Sequence, residues 1–170
     1  SLPAGLTELG THAFYNCNAL TGSVTIPSGI TEIPDYLFNH TALTEVILHD
    51  GVTSIGEWAF AETNISAISL PSSLRTIAAY AFAATDLQSI SLPSSLRTIG
   101  SYAFAYSDLQ SISLPAGLTD LGAYAFQYCK SLTGSVTIPS AITEIPDYLF
   151  TETALTDVIL HDALTSIGVL

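Results

Sequence analysis

The chain repeats itself with a period of about 22 to 24 residues, a length typical of solenoids. ISLPSSLRTIAAYAFAATDLQS, residues 68–89, is followed directly by ISLPSSLRTIGSYAFAYSDLQS, residues 90–111. One aliphatic position, usually followed by proline, recurs along the chain at Leu2, Ile26, Leu48, Leu70, Leu92, Leu114, Ile138 and Leu160. In a solenoid each unit buries its apolar face only by stacking on its neighbours. The sequence therefore predicts a single domain over residues 1–170, a solenoid of about seven units.

A second level of repetition lies above the first. LPAGLTELGTHAFYNC, which begins at Leu2, returns as LPAGLTDLGAYAFQYC at Leu114, and GSVTIPSGITEIPDYLF at Gly22 returns with one change at Gly134. Both pairs are five units apart, an offset of about 112 residues. Copies this close indicate either recent duplication or deliberate design. The first and last units are incomplete and uncapped, which predicts a fragment of a larger protein or a chain whose open ends meet other copies.

Each unit contains a segment in which apolar and polar residues alternate. Examples are LTEVIL at 43–48, LQSISL at 87–92 and LTDVIL at 155–160, and this period of two predicts half-buried parallel strands. The residues predicted to point inward, each with the Leu two positions later, are Val46, Ile68, Ile90, Ile112 and Val158. Their neighbours form two predicted exposed rows: Ser23, Glu45, Ala67, Ser89, Ser111, Ser135 and Asp157, then Thr25, Ile47, Ser69, Ser91, Ser113, Thr137 and Ile159. Strands about 4.8 Å apart would make these rows a ribbon roughly 30 Å long.

The rest of each unit returns the chain to the next strand. Pro or His ends the strand, an apolar pair such as Leu74 and Ile77 predicts a second short strand, and Gly-x-Tyr-Ala-Phe predicts a short helical turn on the far side. One phenylalanine per unit would fill each layer: Phe14, Phe38, Phe60, Phe82, Phe104, Phe126 and Phe150. A second row would be half-buried between copies, with a carbohydrate-stacking surface as the alternative: Tyr36, Trp58, Tyr80, Tyr102, Tyr124 and Tyr148. The predicted fold class is a β-rich α/β repeat solenoid, with a parallel strand ladder on one face and second short strands and helical turns on the other.

The full unit, L-x-x-I-x-L-P-x-x-L-x-x-I-G-x-Y-A-F-x-x-C/T, resembles the BspA-type leucine-rich repeat of bacterial and protist surface proteins. The resemblance covers essentially the whole chain, because the I-P, I-G and Y-A-F elements recur in order. The chain departs from the general leucine-rich pattern in lacking Asn after L-x-L, and most units are one residue shorter than is common in the family. The resemblance implies an extracellular, surface-anchored protein for adhesion or partner binding, without catalytic machinery.

The charge balance narrows the classes of partner. Three basic and fifteen acidic residues give a formal net charge of −12. So few cations cannot displace counterions from phosphates, and we expect no nucleic-acid partner and no direct membrane insertion. No apolar run approaches the roughly 20 residues of a membrane span. The acidic residues occupy solvent-type positions, and no DxDxDG-like clustering supports the alternative of a calcium site.

Neither the cysteines nor the histidines form a reactive cluster in the sequence. Cys17 and Cys129 occupy a slot that elsewhere holds Thr or Ser. Five layers, about 24 Å, separate them, which is too far for a disulfide. They are predicted to be free, buried thiols, with cross-linking between chains as the alternative. His49 and His161 lie five units apart, too far to share a metal. With no nucleophile elbow, P-loop or dinucleotide motif, the sequence predicts no enzyme, metal or cofactor.

Two sequons occur, Asn39-His40-Thr41 and Asn64-Ile65-Ser66. They would carry glycans in a eukaryotic secretory source and would be coincidental in a bacterial one. Thr41 is predicted to face inward, which makes the first sequon the weaker acceptor.

The sequence thus predicts a non-catalytic binding module of a secreted or cell-surface protein, acting in adhesion or partner interaction through its strand face. The partner would be an extracellular protein or glycan. The alternatives are a structural solenoid that self-associates through open ends into fibres and, more remotely, ice binding by the hydroxyl rows. The predicted contact residues are Thr25, Glu45, Ile47, Ser69, Ser91, Ser113, Thr137, Asp157 and Ile159.

Overall fold

Two rows of parallel strands run along the solenoid in the computed structural model, which describes residues 2–169. The first row lies where the alternating segments predict strands and comprises β1 (Thr21–Thr25), β3 (Ala42–Ile47), β5 (Ala67–Ile68), β7 (Ser89–Ile90), β10 (Thr133–Thr137) and β12 (Ala154–Ile159). The second row comprises β2 (Glu32–Ile33), β4 (Ser54–Ile55), β6 (Thr76–Ile77), β8 (Thr98–Ile99), β9 (Asp120–Leu121), β11 (Glu144–Ile145) and β13 (Ser166–Ile167). Pairing within both rows is parallel, so the predicted repeat solenoid is confirmed.

The strand face is not the continuous ladder that the alternation suggests. It is divided into three pairs, β1 with β3, β5 with β7, and β10 with β12, whereas the second row forms a five-stranded sheet from β2 to β9. The long pairs consist largely of Thr, Val and Ile, and β-branched residues suit a pleated surface. The central layers have Ala-Ile-Ser at 67–69 and Ser-Ile-Ser at 89–91 and 111–113, and pairing there falls to two residues or none.

The far side of each unit is not helical, and residues 2–169 contain no helix of any kind. Tyr102 and Tyr106 have φ angles of 59° and 61°, in the left-handed region, and equivalent residues in the other layers do the same. The N–H groups of Tyr102, Phe104 and Tyr106 donate to carbonyls of the next layer at 3.0, 2.9 and 2.8 Å. A helix would direct these N–H groups along its own chain. The repeated layer supplies an acceptor for each of them, and this offsets the roughly 1–2 kcal/mol cost of each left-handed residue.

The core is a column of phenylalanine rings. The five rings from Phe38 to Phe126 are fully buried, and all seven are stacked with centroids 5.3 to 6.0 Å apart. Aliphatic residues of both strand rows pack around this column. Where the residue three positions after Phe is threonine, its hydroxyl satisfies the carbonyl of that Phe: Thr41, Thr63, Thr85 and Thr153 donate to it at 2.7 to 3.0 Å. These four layers thus share the same local hydrogen bond.

The prediction of two buried thiols is wrong for Cys17, which is exposed, while Cys129 is fully buried. Cys17 lies in the first layer, which has a neighbour on one side only in the described residues. The Cys129 thiol donates to the Phe104 carbonyl at 3.1 Å and lies 3.4 Å from the Ser107 hydroxyl. Burial raises the pKa of the Cys129 thiol, although the hydrogen bond to Ser107 opposes that shift. Both cysteines are free.

Thiol labelling separates the two cysteines. A disulfide reagent at pH 8 should modify Cys17 in the folded protein at the rate of a free thiol, and Cys129 at least about 100-fold more slowly, because only an exposed thiolate reacts. In the matched variant Cys129→Ser the slow reaction should vanish and the fast one persist. Two fast thiols would contradict the layered burial of Cys129.

The first sequon is part of the layer packing. Asn39 is 3% exposed, and its side-chain amide donates to the Ala61 carbonyl at 2.8 Å. Thr41 is buried as expected. Asn64 and Ser66 of the second sequon are both exposed.

Candidate functional site

The strand face carries the residues that the sequence predicts to make contact. All nine predicted contact residues are exposed, as are all members of the other outward row. Ile47 and Ile159 are 46% and 49% exposed, and they occupy equivalent positions in β3 and β12. Exposure of a large aliphatic side chain to water is unfavourable, and its burial against a partner lowers the free energy.

Two equivalent patches of this face, the β1–β3 pair and the β10–β12 pair, share one backbone irregularity. In each, a glycine at positive φ, 77° at Gly22 and 79° at Gly134, accompanies a shift of register, after which Ser and an acidic residue pair across the two strands. The hydroxyls of Thr44 and Thr156 donate back to the carbonyls of these glycines at 3.3 and 3.0 Å. Only glycine adopts such φ values without strain, which explains the glycine at both of these equivalent positions.

Between the two patches lies a shallow groove of about 690 Å³. Its floor is formed by small and aliphatic residues, among them Ala67, Ile68 and Ile90, and Glu45 and Ile47 stand at one end. In the adjoining segment 111–114 no backbone N–H or carbonyl is hydrogen-bonded to another backbone group of residues 2–169. Such groups need water or a partner to satisfy them. The sequence contains no direct signal for this groove, since the same alternation predicts full pairing there.

The predicted inward positions are mostly buried, but the last of them is not. Val46, Ile68 and Ile112 are at most 8% exposed. Val158 pairs in register with Val136, which is 1% exposed, so it faces the predicted side of the strand. It is nevertheless 39% exposed, and Leu160 is 46% exposed. Val158 lies in β12, the last strand of the first row in the described residues, and Leu160 directly follows that strand. Only one neighbouring layer is present there instead of two.

The tyrosine row forms a ladder of stacked rings on the far side. From His12 through Tyr36, Trp58 and the later tyrosines to Tyr148, successive ring centroids are 4.1 to 6.0 Å apart. The rings of Tyr36 to Tyr148 are half-buried, as predicted. Burial, followed by the neighbouring Tyr102 and Tyr106 hydroxyls, raises the pKa of Tyr80. Sugars stack on ring faces, and in this ladder each inner ring has its faces against other rings. The geometry therefore disfavours the carbohydrate alternative for this row.

The histidines that replace Pro have structural roles. His49 Nε2 lies 2.9 Å from the Ile30 carbonyl, and its Nδ1 accepts from the Gly51 N–H at 3.0 Å. His161 makes the same two contacts in the equivalent unit. Within residues 2–169, no group of three or more His, Cys, Asp or Glu residues is placed to hold a metal ion. Over the same range, no helix is long and apolar enough to cross a bilayer.

These observations define a class of protein: a parallel-stranded repeat solenoid that presents extended, regularly repeated surfaces. Within that class, the chain belongs to the family described as BspA type leucine rich repeat region, whose pattern matches residues 1–109 and 53–169 in six copies. The resemblance seen in the repeat unit is thereby confirmed. No curated protein gives a significant match to this chain.

Solved structures show the same architecture. A leucine-rich repeat protein from Bacteroides ovatus is 29% identical with a TM-score of 0.90, over 98% of this chain and 44% of that one. One from Eubacterium ventriosum is 25% identical with a TM-score of 0.63, over 86% and 50%. The leucine-rich repeat protein of T. pallidum, 24% identical with a TM-score of 0.68 over 99% and 82%, shows the fold alone. The chain thus spans about half or less of the first two proteins.

Proposed function

We propose that this chain is a protein-binding module of a secreted or cell-surface protein, and that its strand face makes the contact. One observation carries the proposal: the 690 Å³ groove lies on an exposed face beside Glu45 and Ile47. Exposed aliphatic and acidic residues beside a concave surface suit a partner with apolar and basic side chains. The unpaired backbone of residues 111–114 adds hydrogen-bonding groups that an extended partner segment can use.

The surface location of the module is part of the same proposal. It rests on the family to which the chain belongs and on what the resemblance implies for that family. Adhesion is the activity that suits such a module. Glycan binding by the strand face is the competing outcome of the test below.

Charge introduced at the two exposed isoleucines tests the proposal. Ile47→Lys together with Ile159→Lys should lower capture of a protein partner at least tenfold, because each lysine replaces apolar contact area with a solvated cation. The measurement is surface capture from a panel of purified extracellular proteins, with immobilised glycans as a second panel.

The matched control is Ser28→Lys with Ser140→Lys. These exposed serines lie just after the prolines of two equivalent units and outside the strand face, and the variant carries the same added charge. Capture by the control should stay within about twofold, since exposed surface charges alone contribute little. Equal capture by all three proteins, or capture of glycans alone, would exclude a protein-binding strand face.

A further inference from the structure

A second column of side chains runs beside the tyrosine ladder, one per layer. Its members are the second left-handed residues of each turn: Asn16, His40, Glu62, Ala84, Tyr106, Tyr128 and Glu152. Their φ angles lie between 52° and 61°. The N–H groups from His40 to Tyr128 each donate to a carbonyl of the next layer, at 2.8 to 3.1 Å. The backbones of neighbouring members therefore lie directly above one another, one layer apart.

The column has one gap, at Ala84. On one side of the gap, His40 Nε2 and Glu62 Oε2 are 2.9 Å apart. On the other side, the rings of Tyr106 and Tyr128 are stacked with centroids 4.9 Å apart. Ala84 is exposed and contributes only a methyl group. We call this gap, bounded by Glu62, Ala84 and Tyr106, the Ala84 notch.

The notch leaves one face of an aromatic ring uncovered. Tyr106 is 56% exposed, the largest fraction among the exposed large hydrophobic side chains of residues 2–169. Tyr128 covers one face of its ring, and the residue on the other side is Ala84. Two layers separate Glu62 from Tyr106, which corresponds to roughly 10 Å. A spacing of this size can accommodate one planar group beside the Tyr106 ring.

The aromatic and acidic side chains around the notch favour binding of a cation. The face of an aromatic ring carries negative potential. Glu62 belongs to the layer on the other side of Ala84, and in this structure its carboxylate is paired with His40. Asp86 and Asp108, both exposed, follow two residues after Ala84 and Tyr106. The same column already holds a cation on a ring, because Lys130 Nζ lies 5.5 Å from the centroid of Tyr128. The chain has three basic residues against fifteen acidic ones, and this charge balance favours a basic partner.

We propose that the Ala84 notch binds the guanidinium group of an arginine on a partner protein. The planar group stacks on the open face of Tyr106 above Ala84, and its N–H groups donate to the Glu62 carboxylate. Arginine suits this geometry better than lysine, because a guanidinium stacks flat on a ring and presents several donors in one plane. This site lies on the far side of the unit and is independent of the strand face.

Titration with N-acetyl-arginine amide, followed by the NMR signals of the Tyr106 ring and the Ala84 methyl, tests the proposal. The expected result is a saturable shift of both signals. N-acetyl-lysine amide should bind about fivefold more weakly, and methyl β-glucoside should give no shift. Ala84→Tyr should abolish the response, because a tyrosine there completes the column as Tyr106 and Tyr128 already do.

Two further variants test whether the Glu62 carboxylate contributes to arginine binding. Glu62→Gln should weaken arginine binding about fivefold, whereas His40→Ala, which frees the Glu62 carboxylate from its present partner, should preserve or tighten it. The Ile47→Lys/Ile159→Lys protein should bind the arginine derivative normally. An unsaturable response, an equal response in Ala84→Tyr, or preferential binding of the glucoside would overturn the proposal.

Discussion

Phe104→Ala should lower the free energy of unfolding by about 3 to 5 kcal/mol, the range for removing a buried aromatic ring from a core. Phe104 is fully buried, and its ring is stacked between Phe82 and Phe126 with centroid distances of 5.6 and 5.5 Å. The alanine would leave a cavity that both neighbouring rings line. Urea denaturation followed by far-UV circular dichroism, and separately by Trp58 fluorescence, measures the loss.

The matched control for this variant is Phe14→Ala. Phe14 is half-buried and contacts one ring of the column, Phe38, at 5.3 Å. Its loss should cost clearly less, about 1 to 2 kcal/mol, since less surface returns to water. In a solenoid each layer is stabilised by its neighbours, so the central cavity should also separate the two denaturation probes into distinct transitions. Equal losses of unfolding free energy in the two variants would contradict a column whose central rings are more deeply buried than its end ring.

Tyr102→Pro should cost about 3 kcal/mol or more, because proline holds φ near −65° and has no N–H. Tyr102 has a φ angle of 59°, and its N–H donates to the Ala123 carbonyl at 3.0 Å. The substitution therefore removes that hydrogen bond and forces the left-handed turn to open. The ring also stacks between Tyr80 and Tyr124 at 4.6 and 4.5 Å. Thermal and urea unfolding of the purified protein report the loss.

Tyr102→Phe is the control, because it keeps the ring, the N–H and the backbone. It should change stability by no more than about 0.5 kcal/mol. The pair of variants also distinguishes the observed turn from the helical turn that the Gly-x-Tyr-Ala-Phe pattern suggests. Proline is tolerated in the first turn of a helix. A Tyr102→Pro protein as stable as Tyr102→Phe would therefore favour the helix.

The local pattern misleads at this turn for a physical reason. Tyr, Ala and Phe in succession are compatible with a helix. So short a stretch does not show that a backbone carbonyl of the next layer will accept the hydrogen bond of each N–H group. In the structure, the Phe104 N–H donates to the Ala125 carbonyl and the Tyr106 N–H to the Gln127 carbonyl, and both acceptors belong to the next layer. Interlayer hydrogen bonds of this kind exist only after the units stack. The left-handed tyrosines are thus a product of repetition rather than of local preference.

The candidate surfaces were predictable to different degrees. Alternation alone predicts that residues such as Glu45, Ile47 and Ile159 are exposed, and the structure confirms their exposure. Their role in binding stays a proposal. The Ala84 notch could have been found by aligning the residue two positions after each Phe, since alanine stands there beside two tyrosines. The exposure of the Tyr106 ring could be recognised only in the structure, because it depends on which side chains are stacked in the adjacent layers.

The sequence by itself determined the repeat, its register and the inward phenylalanine column, because a period of about 22 to 24 residues admits few ways to bury one apolar stripe per unit. Tertiary structure alone decided where the strand ladder breaks, which thiol is accessible and which ring face is open. Those properties depend on whether a layer has neighbours on both sides and on what side chain the adjacent layer presents. Cys17 and Cys129 show the difference most simply: they share one slot in the unit, yet one is exposed and the other fully buried.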